Sequence, residues 1–249
     1  MESKNKTVVK AMTLLNLFLT REKLSLNDMI ELTGMPKTSV YRMVRSLEDM
    51  GFLDRDEDGM YALGLLFLQY GQLVSDRLDI RKIALPIMKK LRDEVDEAVH
   101  LIVREGDEAM YIEKIEGTHT VRLYTAIGRR SPLYAGACAR SILTFLPREE
   151  REEYIKKTDL VPIASGTIRD KDELGRVLDE SYRNGFTVSH SELEDYTSAI
   201  AAPIFNNKRQ IAAGISIAGF EARFQNDRLP YLTERVRQAA LEISRKLGF

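Results

Sequence analysis

The most constraining feature of the sequence is a pair of short amphipathic segments on either side of a tight turn at Gly34 and Pro36. Ser25 suits the N-cap of the first segment, Gly34 suits its C-terminal stop, and Pro36 suits the first turn of the second. The second segment repeats apolar residues at helical spacing. Its apolar stripe comprises Val40, Met43, Val44 and Leu47. Residues 26–50 therefore predict a helix-turn-helix.

The face opposite this stripe carries side chains that suit a nucleic-acid duplex. Arginine forks match guanine edges and phosphates, hydroxyl groups add hydrogen bonds, and a helix N-terminus attracts phosphate. The candidate DNA-contacting residues of this helix are Lys37, Thr38, Ser39, Tyr41, Arg42 and Arg45. The alternative is a plain helical bundle with solvated arginines on its surface. Arg45 and Asp49 lie four residues apart, so some of the positive charge would be paired within the helix.

Two short apolar runs around an Asp-Gly turn predict a hairpin over residues 52–63 that would act as a wing. Arg55 is its only basic residue and a further candidate DNA contact. Residues 1–45 hold eight Lys/Arg and four acids, whereas residues 46–63 hold one Arg and six acids. The whole chain has a net charge of −1, so a DNA-binding surface would have to be local.

Hydrophobic patterns divide the rest of the chain into a helical part and a larger mixed part. A first helix is predicted over 7–19, with a stripe of Val8, Met12, Leu15 and Leu19. A helix from 64 to about 76 is interpreted as a linker, and another runs from 80 to about 96. Strand-like runs follow at 98–104, 110–115 and 121–126.

Helical patterns at 137–146, 147–157 and 170–184 come next, and then strand patterns at 186–190, 199–205 and 210–218. A helix over 229–247 closes the chain. Antiparallel strands grouped in threes, with helices between and around them, predict an α+β fold rather than a regular βαβ alternation.

Composition and motifs exclude several classes of protein. The one cysteine, Cys138, rules out an intramolecular disulfide, and the three histidines show no metal-ligand spacing. No apolar run reaches the ~18 residues that span a bilayer. The sequence has no Walker loop and no dinucleotide fingerprint. We therefore expect a cytoplasmic protein with no cofactor, no metal and no membrane partner.

Two residues, Ser216 and Cys138, are candidates for a catalytic nucleophile. Ser216 lies in a segment similar to Gly-x-Ser-x-Gly, but Ala218 replaces the last glycine and the pattern is that of a strand rather than an elbow. Cys138 as a nucleophile would need His190 or His119 as its base, and no known spacing supports either pairing. The sequence therefore favours a protein that is not an enzyme.

Small residues are concentrated in residues 127–141. Small side chains beside a helix start leave space and exposed N–H groups, which suits a small anionic ligand. Arg129 and Arg130 would add positive charge. The alternative is that the small residues allow a helix to pack closely against a sheet.

Four segments, in order along the chain, resemble signatures of the IclR family of bacterial transcriptional regulators. Residues 34–42 (GMPKTSVYR) resemble the opening of its recognition helix, and residues 61–64 (YALG) its signature after the wing. Residues 130–135 (RSPLYA) resemble its central motif. Residues 201–205 (AAPIF) with 212–217 (AAGISI) resemble its C-terminal signature. Together with the patterns between them, these matches cover residues from about 6 to 247.

The resemblance implies a winged helix-turn-helix DNA-binding domain over 1–64, a linker helix over 65–79, and an effector-binding domain over 80–249. The last would be GAF-like, with an antiparallel sheet flanked by helices. The resemblance also implies a homodimer or homotetramer on a palindromic operator in double-stranded DNA, and a small-molecule effector.

The resemblance further implies positions for the effector pocket. Ser189 stands where some members carry Asp, and Ala218 stands where some carry Ser, so this pocket has fewer polar groups than theirs. Glu192 matches a recurring acid of the family, for which a loop- or helix-stabilising role is the alternative. The implied effector-binding residues are Ala137, Cys138, Ser189, Ala199, Ser216 and Ala218.

The sequence thus leads to a DNA-binding transcriptional regulator, expected to be a repressor, that a small molecule of the carboxylate class controls. The alternative is a GAF-like small-molecule sensor that acts through protein partners, with its N-terminal helices as a dimerisation module.

Overall fold

The computed structural model describes residues 5–77, 79–120, 123, 125–225 and 228–249. The chain divides into two compact units, Met1–Leu78 and Asp79–Phe249. The division places the predicted linker helix with the N-terminal unit. In the described residues, no helix is both long and apolar enough to cross a membrane. No group of three or more His, Cys, Asp or Glu side chains in this part of the chain could hold a metal ion.

The N-terminal unit has three helices, a hairpin and a fourth helix, in the order that the sequence predicts. The elements are α1 (Lys6–Asn16), α2 (Leu26–Thr33), α3 (Lys37–Asp49), β1 (Leu53–Arg55), β2 (Tyr61–Leu63) and α4 (Leu66–Arg77). A core of apolar side chains from α1, α2, α3 and the hairpin holds this unit together.

The ends of α2 confirm the predicted stop and start signals. The Ser25 hydroxyl accepts a hydrogen bond from the Asp28 backbone N–H at 3.2 Å, and the Asp28 carboxylate accepts one from the Ser25 N–H at 2.8 Å. This reciprocal capping box satisfies two N–H groups that the helix leaves open. Gly34 ends the helix in the left-handed region, with φ +63°, where glycine is favoured.

The apolar stripe predicted for the first helix is only partly correct. Leu15 is buried as expected, but Val8 and Met12 are exposed, and Leu14 and Phe18 complete the inner face instead. The α-helix ends at Asn16, and residues Leu17–Leu19 form a 3₁₀ turn that leaves Leu19 in solvent. The tighter turn accounts for the exposure of Leu19, whereas Val8 and Met12 lie on the outward side of the α-helix before it.

The predicted wing is present and is held in place by a contact that the sequence does not reveal. Strands β1 and β2 pair antiparallel, with Leu53 opposite Leu63. Leu24, from the segment before α2, exchanges two backbone hydrogen bonds with Tyr61, at 2.8 and 3.0 Å. Gly64 follows the wing, and a Cβ atom there would lie 2.2 Å from the Gly51 carbonyl oxygen. Only glycine fits this close approach of two backbone segments.

The second unit alternates helices with antiparallel strands. Its helices are α5 (Asp79–Val95), α6 (Ala137–Thr144), α7 (Arg148–Lys157), α8 (Lys171–Asn184) and α9 (Arg228–Lys246). Its strands are β3 (Ala98–Glu105), β4 (Glu108–Ile115), β5 (Arg130–Pro132), β6 (Thr187–His190), β7 (Thr197–Phe205) and β8 (Ile211–Phe220). This mixture of helices and strands confirms the α+β prediction.

The strands form a six-stranded sheet in the order β5-β4-β3-β8-β7-β6, and each neighbouring pair is antiparallel. The pairing of β3 with β8 joins strands more than 100 residues apart in sequence, a contact that no hairpin pattern could predict. The strand expected at 121–126 falls partly outside the described residues, and the described residues 123, 125 and 126 are not in a strand. The edge strand β5 lies instead at Arg130–Pro132.

Helix α6 is buried along its whole length against this sheet. A Cβ atom at Gly214, on β8, would lie 2.6 Å from the Ser141 hydroxyl oxygen and 3.1 Å from the Cys138 carbonyl oxygen. The small residues therefore allow close helix–sheet packing on one side of α6, as the alternative interpretation of this segment predicts. The start of the same helix borders a cavity.

Candidate nucleic-acid interface and ligand cavity

The outward face of α3 carries the side chains that the sequence predicts to contact DNA. Val40, Val44 and Leu47 are buried on the inner face, which leaves the opposite face in solvent. Ser39 is partly buried. The exposed members of the predicted set are Lys37, Thr38, Tyr41, Arg42 and Arg45. One helix surface thus presents two guanidinium groups, an ammonium group and hydroxyl groups.

The two arginines of α3 are not engaged in ion pairs within the described part of the chain. No carboxylate oxygen there lies within 4.0 Å of Arg42 or Arg45. The alternative pairing of Arg45 with Asp49 is therefore wrong. Unpaired guanidinium groups in solvent keep all their donors available for a partner.

The start of α3 is also open. Pro36 precedes the helix and, among the described residues, no side chain caps its N-terminus. The first hydrogen bonds of the helix come from the N–H groups of Ser39 and Val40, which donate to the Pro36 carbonyl oxygen at 2.9 and 3.1 Å. The free N–H groups of Lys37 and Thr38, at the positive end of the helix dipole, favour an anion such as a phosphate.

Arg55 lies on the wing rather than on α3. Its guanidinium carbon lies 5.5 Å from the centroid of the Tyr61 ring, a cation–π contact that turns the side chain back along the hairpin. At the wing tip, Asp56 accepts a hydrogen bond from the Lys23 ammonium group at 2.7 Å. The wing therefore offers less free positive charge than α3 does.

In the second unit, a cavity opens between the start of α6 and the sheet. It encloses about 500 Å³ of space, counting its opening to solvent. All six residues that the sequence assigns to effector binding line it, and these are Ala137, Cys138, Ser189, Ala199, Ser216 and Ala218. The structure thus brings together residues from four separate segments of the chain.

The register of the sheet explains why these residues share one face. Ser189 on β6 lies opposite Ala199 on β7, and Ala199 lies opposite Ala218 on β8. Residues opposite one another on neighbouring strands project to the same side of a sheet. Two residues before Ala218, Ser216 is on the same face, because side chains alternate along a strand.

The first N–H groups of α6 are already engaged, contrary to the expectation that they are exposed. The Gly136 N–H donates to the Glu192 carboxylate at 2.8 Å, and the Ala137 N–H donates to the Ser189 hydroxyl at 2.9 Å. Glu192 and Ser189 therefore act as caps for this helix. The following two N–H groups, of Cys138 and Ala139, have no intrahelical acceptor.

Arg140 is a residue that the sequence alone did not single out. Its side chain is buried on α6 and donates to the Glu192 carboxylate and to the Val188 carbonyl oxygen. Glu192 thus accepts hydrogen bonds from Arg140 and from the Gly136 backbone. The loop-stabilising interpretation of Glu192 is supported by these contacts, because they tie the segment after β6 to the start of α6.

Of the two arginines expected near the cavity, only Arg129 lines it. Its guanidinium group pairs with Glu194, another lining residue, at 2.9 Å. Arg130 instead forms ion pairs with Glu105 and Glu108 at the outer edge of the sheet. The expectation that Arg130 adds charge to the site is therefore wrong.

Cys138 is a poor nucleophile in this environment. Burial raises the pKa of its thiol to about 12, although a hydrogen bond with Ser216 opposes the shift. The reactive species of a cysteine is the thiolate, which is scarce at neutral pH when the pKa is this high. The wall of the cavity thus holds a neutral thiol.

Sequence reasoning missed several polar lining residues, namely His100, Tyr111, Thr125, Thr197 and Ser198. A signal existed for His100, because a histidine inside an apolar strand pattern is unusual. No local signal marks the others, since they come from strands and loops far apart in sequence.

A winged helix-turn-helix with a free cationic helix face, in one chain with a cavity in an α+β unit, defines a class of protein. This class is the one-component transcriptional regulator, which combines DNA binding and small-molecule sensing. Two family models match this chain. The IclR helix-turn-helix domain matches residues 7–57, and the bacterial transcriptional regulator IclR C-terminal domain matches residues 72–245.

The chain belongs to the IclR family of bacterial transcriptional regulators. It is 70% identical over 249 residues to the HTH-type transcriptional regulator KipR of Bacillus subtilis (strain 168), with 100% of both chains covered. It is 30% identical over 225 residues to the HTH-type transcriptional repressor AllR of Klebsiella pneumoniae, covering 90% of this chain and 83% of that one.

A crystal structure of an IclR homologue from Microbacterium hydrocarbonoxydans, complexed with 4-hydroxybenzoate, has a similar fold. Its TM-score is 0.84 at 26% identity, and the match covers 97% of this chain and 99% of that chain. Family and relatives together identify this chain as a DNA-binding transcriptional regulator.

Proposed function

We propose that the protein is a repressor that binds a palindromic operator through α3 of each subunit, and that a small carboxylate in the cavity regulates this binding. The observation that carries the proposal is the free cationic face of α3, where neither Arg42 nor Arg45 is paired in the described part of the chain. A helix with such a face fits the major groove of DNA.

Each predicted contact has a distinct role on the duplex. Arg42 and Arg45 would donate bidentate hydrogen bonds to guanine or phosphate, and Tyr41 and Thr38 would donate single hydrogen bonds. Lys37 and the open start of α3 would hold a phosphate. Ser39, which is partly buried, and Arg55, which stacks on Tyr61, would contribute less.

The test is operator binding by an Arg42→Ala variant, measured by fluorescence anisotropy on the DNA upstream of the protein's own gene and on scrambled DNA. Loss of a base contact should weaken specific binding by roughly 1–3 kcal/mol, which is about 5- to 150-fold, and relax sequence preference. Arg148→Ala is the matched control, because Arg148 is an exposed arginine of the second unit. Equal affinity of the wild-type protein for both DNAs would contradict the proposal.

Three observations support a small carboxylate as the effector. The cavity has Arg129 in its wall, and the N–H groups of Cys138 and Ala139 at the start of α6 lack intrahelical acceptors. The related IclR homologue binds 4-hydroxybenzoate, itself a carboxylate. An effector shifts DNA binding only by as much as its affinity differs between the two states of the protein.

Ala218→Leu tests the cavity, because the larger side chain would fill the space beside Ser189 and Ala199. We expect 4-hydroxybenzoate, as a probe, to lose its binding to this variant in calorimetry, while operator affinity is retained. Ala222→Leu is the control, since Ala222 is exposed and does not line the cavity. Unchanged probe binding by Ala218→Leu would remove this residue from the site.

A homodimer or homotetramer is supported by exposed apolar side chains on the N-terminal unit. Val8 and Met12 on α1 and Leu68 and Leu73 on α4 are between 48% and 71% exposed. Several large apolar side chains exposed on one unit are typical of surfaces that another chain covers. Sedimentation velocity should show a dimer or tetramer, and a monomer at micromolar concentration would contradict this part of the proposal.

A further inference from the structure

His100 stands in the sheet wall of the cavity, at the centre of the second unit. It lies on β3 directly opposite Ser216 on β8, and both side chains line the cavity. His100 is only 4% exposed. A Tyr111 ring packs edge-on against the imidazole, with 5.5 Å between the ring centroids. The imidazole is thus packed against an aromatic ring on one side and borders the cavity.

The hydrogen-bonding capacity of His100 is unused within the described residues. In that part of the chain, neither ring nitrogen makes a hydrogen bond. By contrast, the neighbouring polar side chain Ser189 accepts from a backbone N–H group. Buried polar groups in folded proteins nearly always have a partner, so an unpartnered imidazole at a cavity wall indicates a ligand or a water.

The imidazole is neutral at neutral pH. Burial, and to a smaller extent the nearby positive charges of Lys114 and Arg129, lower the pKa of His100 to about 4, while Glu116 opposes them. A neutral imidazole offers one N–H donor and one acceptor nitrogen. It can therefore donate to a carboxylate oxygen or accept from a hydroxyl group of a ligand.

We propose that His100 contacts the effector directly, and that its hydrogen bond to the bound small organic acid helps to select the ligand. This inference rests on the proposed function, because the same cavity is the proposed effector site. The inference adds a polar contact from β3, which is the strand next to β8. Ser189, Ala199 and Ala218 form the adjoining part of the cavity wall. Ser216, opposite His100, would contact the same end of the ligand.

The first test follows the ring nitrogens of the three histidines of the chain by nuclear magnetic resonance on ¹⁵N-histidine-labelled protein. The probes are 4-hydroxybenzoate, benzoate, lactate and succinate, added to the full chain. We expect a probe that binds to shift the ring-nitrogen signals of His100 and to leave those of His119 and His190 in place. A bound probe that leaves the His100 signals unmoved would overturn the proposal.

The second test compares variants for binding of the same probes by calorimetry. His100→Leu removes the hydrogen bond and should weaken binding roughly tenfold or more, whereas His100→Gln keeps a donor and an acceptor and should restore most of it. His119→Leu is the matched control, because His119 does not line the cavity. Equal affinities of wild type and His100→Leu would overturn the proposal.

Operator binding separates this inference from the proposed function. If His100 acts only on the ligand, His100→Gln and wild type should bind operator DNA equally without a probe. A wild-type protein that binds its operator but none of the four acids would overturn the role of His100 and leave DNA binding intact. A wild-type protein that does not bind operator DNA would instead overturn the proposed function.

Discussion

In the described part of the chain, polar groups are exposed and unpaired on the outward face of α3, whereas most of those in the cavity wall are buried and paired. On α3 the guanidinium groups of Arg42 and Arg45 are exposed and have no ion-pair partner in the described residues. In the cavity wall Arg140 is buried against Glu192, and the first N–H groups of α6 are capped. In the same wall, the His100 imidazole makes no hydrogen bond within the described residues.

This difference shows how each surface keeps its function compatible with folding. Exposed charges cost little in the folded state and remain free for a large, charged partner such as DNA. Buried polar groups must be satisfied, since an unpaired one costs free energy, so a cavity can present only a few open groups to a ligand. Substitutions on the outward face of α3 should therefore change DNA binding, whereas substitutions of the paired groups in the cavity wall should change stability.

The largest expected effect concerns the accessibility of Cys138 in the cavity wall. A pKa of about 12 instead of 9.0 lowers the thiolate fraction at neutral pH about a thousandfold. Alkylation by iodoacetamide, followed by mass spectrometry, should be slower by roughly a hundredfold or more in the native protein than in urea. Equal rates in both conditions would show that the wall is open rather than closed.

Arg140→Met tests the satisfied ion pair directly. The variant leaves the Glu192 carboxylate buried without its cation, which should lower the free energy of unfolding by about 3–5 kcal/mol. Urea denaturation followed by circular dichroism measures the change. The double variant Arg140→Met with Glu192→Gln should recover most of the loss.

On the other side of the comparison, Arg42→Met should change the free energy of unfolding by less than about 0.5 kcal/mol, because an exposed, unpaired arginine contributes little. If both arginine variants destabilised the protein equally, the contrast between the two surfaces would be lost.

Gly64→Ala probes the support behind the wing. The new methyl group would meet the Gly51 carbonyl oxygen at 2.2 Å, so one backbone segment must move, and we expect a loss of about 2–3 kcal/mol in stability. Operator affinity should fall as well. Gly71→Ala is the control on α4, where a Cβ atom meets nothing within 4 Å, and it should stabilise the helix by about 0.5–1 kcal/mol. A neutral Gly64→Ala would contradict the tight approach.

Ser25→Ala is expected to destabilise the protein less than Gly64→Ala does. Loss of the capping box should cost about 1 kcal/mol of the unfolding free energy. Hydrogen bonds from Ser25 lower the pKa of Asp28 below its usual 3.8. This carboxylate therefore stabilises the unit above pH 3.8, and its contribution is lost as the pH falls through the lower, folded-state pKa. The largest part of this pKa shift comes from the Ser25 backbone N–H and the next from its hydroxyl group. Ser25→Ala removes only the hydroxyl group, so the acid dependence of thermal unfolding should become only slightly flatter. An unchanged acid profile would show that the hydroxyl group does not contribute to the pKa shift.

The helix-turn-helix could be predicted because its signals are local. Ser25, Gly34 and Pro36 mark helix ends by short-range hydrogen bonding and backbone geometry, and the stripe of Val40, Val44 and Leu47 repeats within one helix. The local signals did not predict the buried face of the first helix correctly. A switch to a 3₁₀ turn after Asn16 depends on packing, which no spacing of apolar residues reports.

The cavity required more than spacing. The resemblance to the IclR family pointed to six of its lining residues, but the partners that cap α6 and neutralise Arg140 were not foreseen. The sheet brings β3 beside β8, so His100 and Ser216 become neighbours although 116 positions separate their numbers. Arg130, adjacent to Arg129 in sequence, pairs with Glu105 and Glu108 and does not line the cavity.

The amino-acid sequence by itself determined the helices, most strands, and the cationic face of α3, because periodicity and capping act over a few residues. The tertiary structure decided which polar groups remain open. Pairing partners such as Glu192 for Arg140, or the lack of one for His100 in the described residues, arise only when distant strands and helices pack together. Burial then sets the energetic cost of each unsatisfied group, and this cost is a property of the assembled fold.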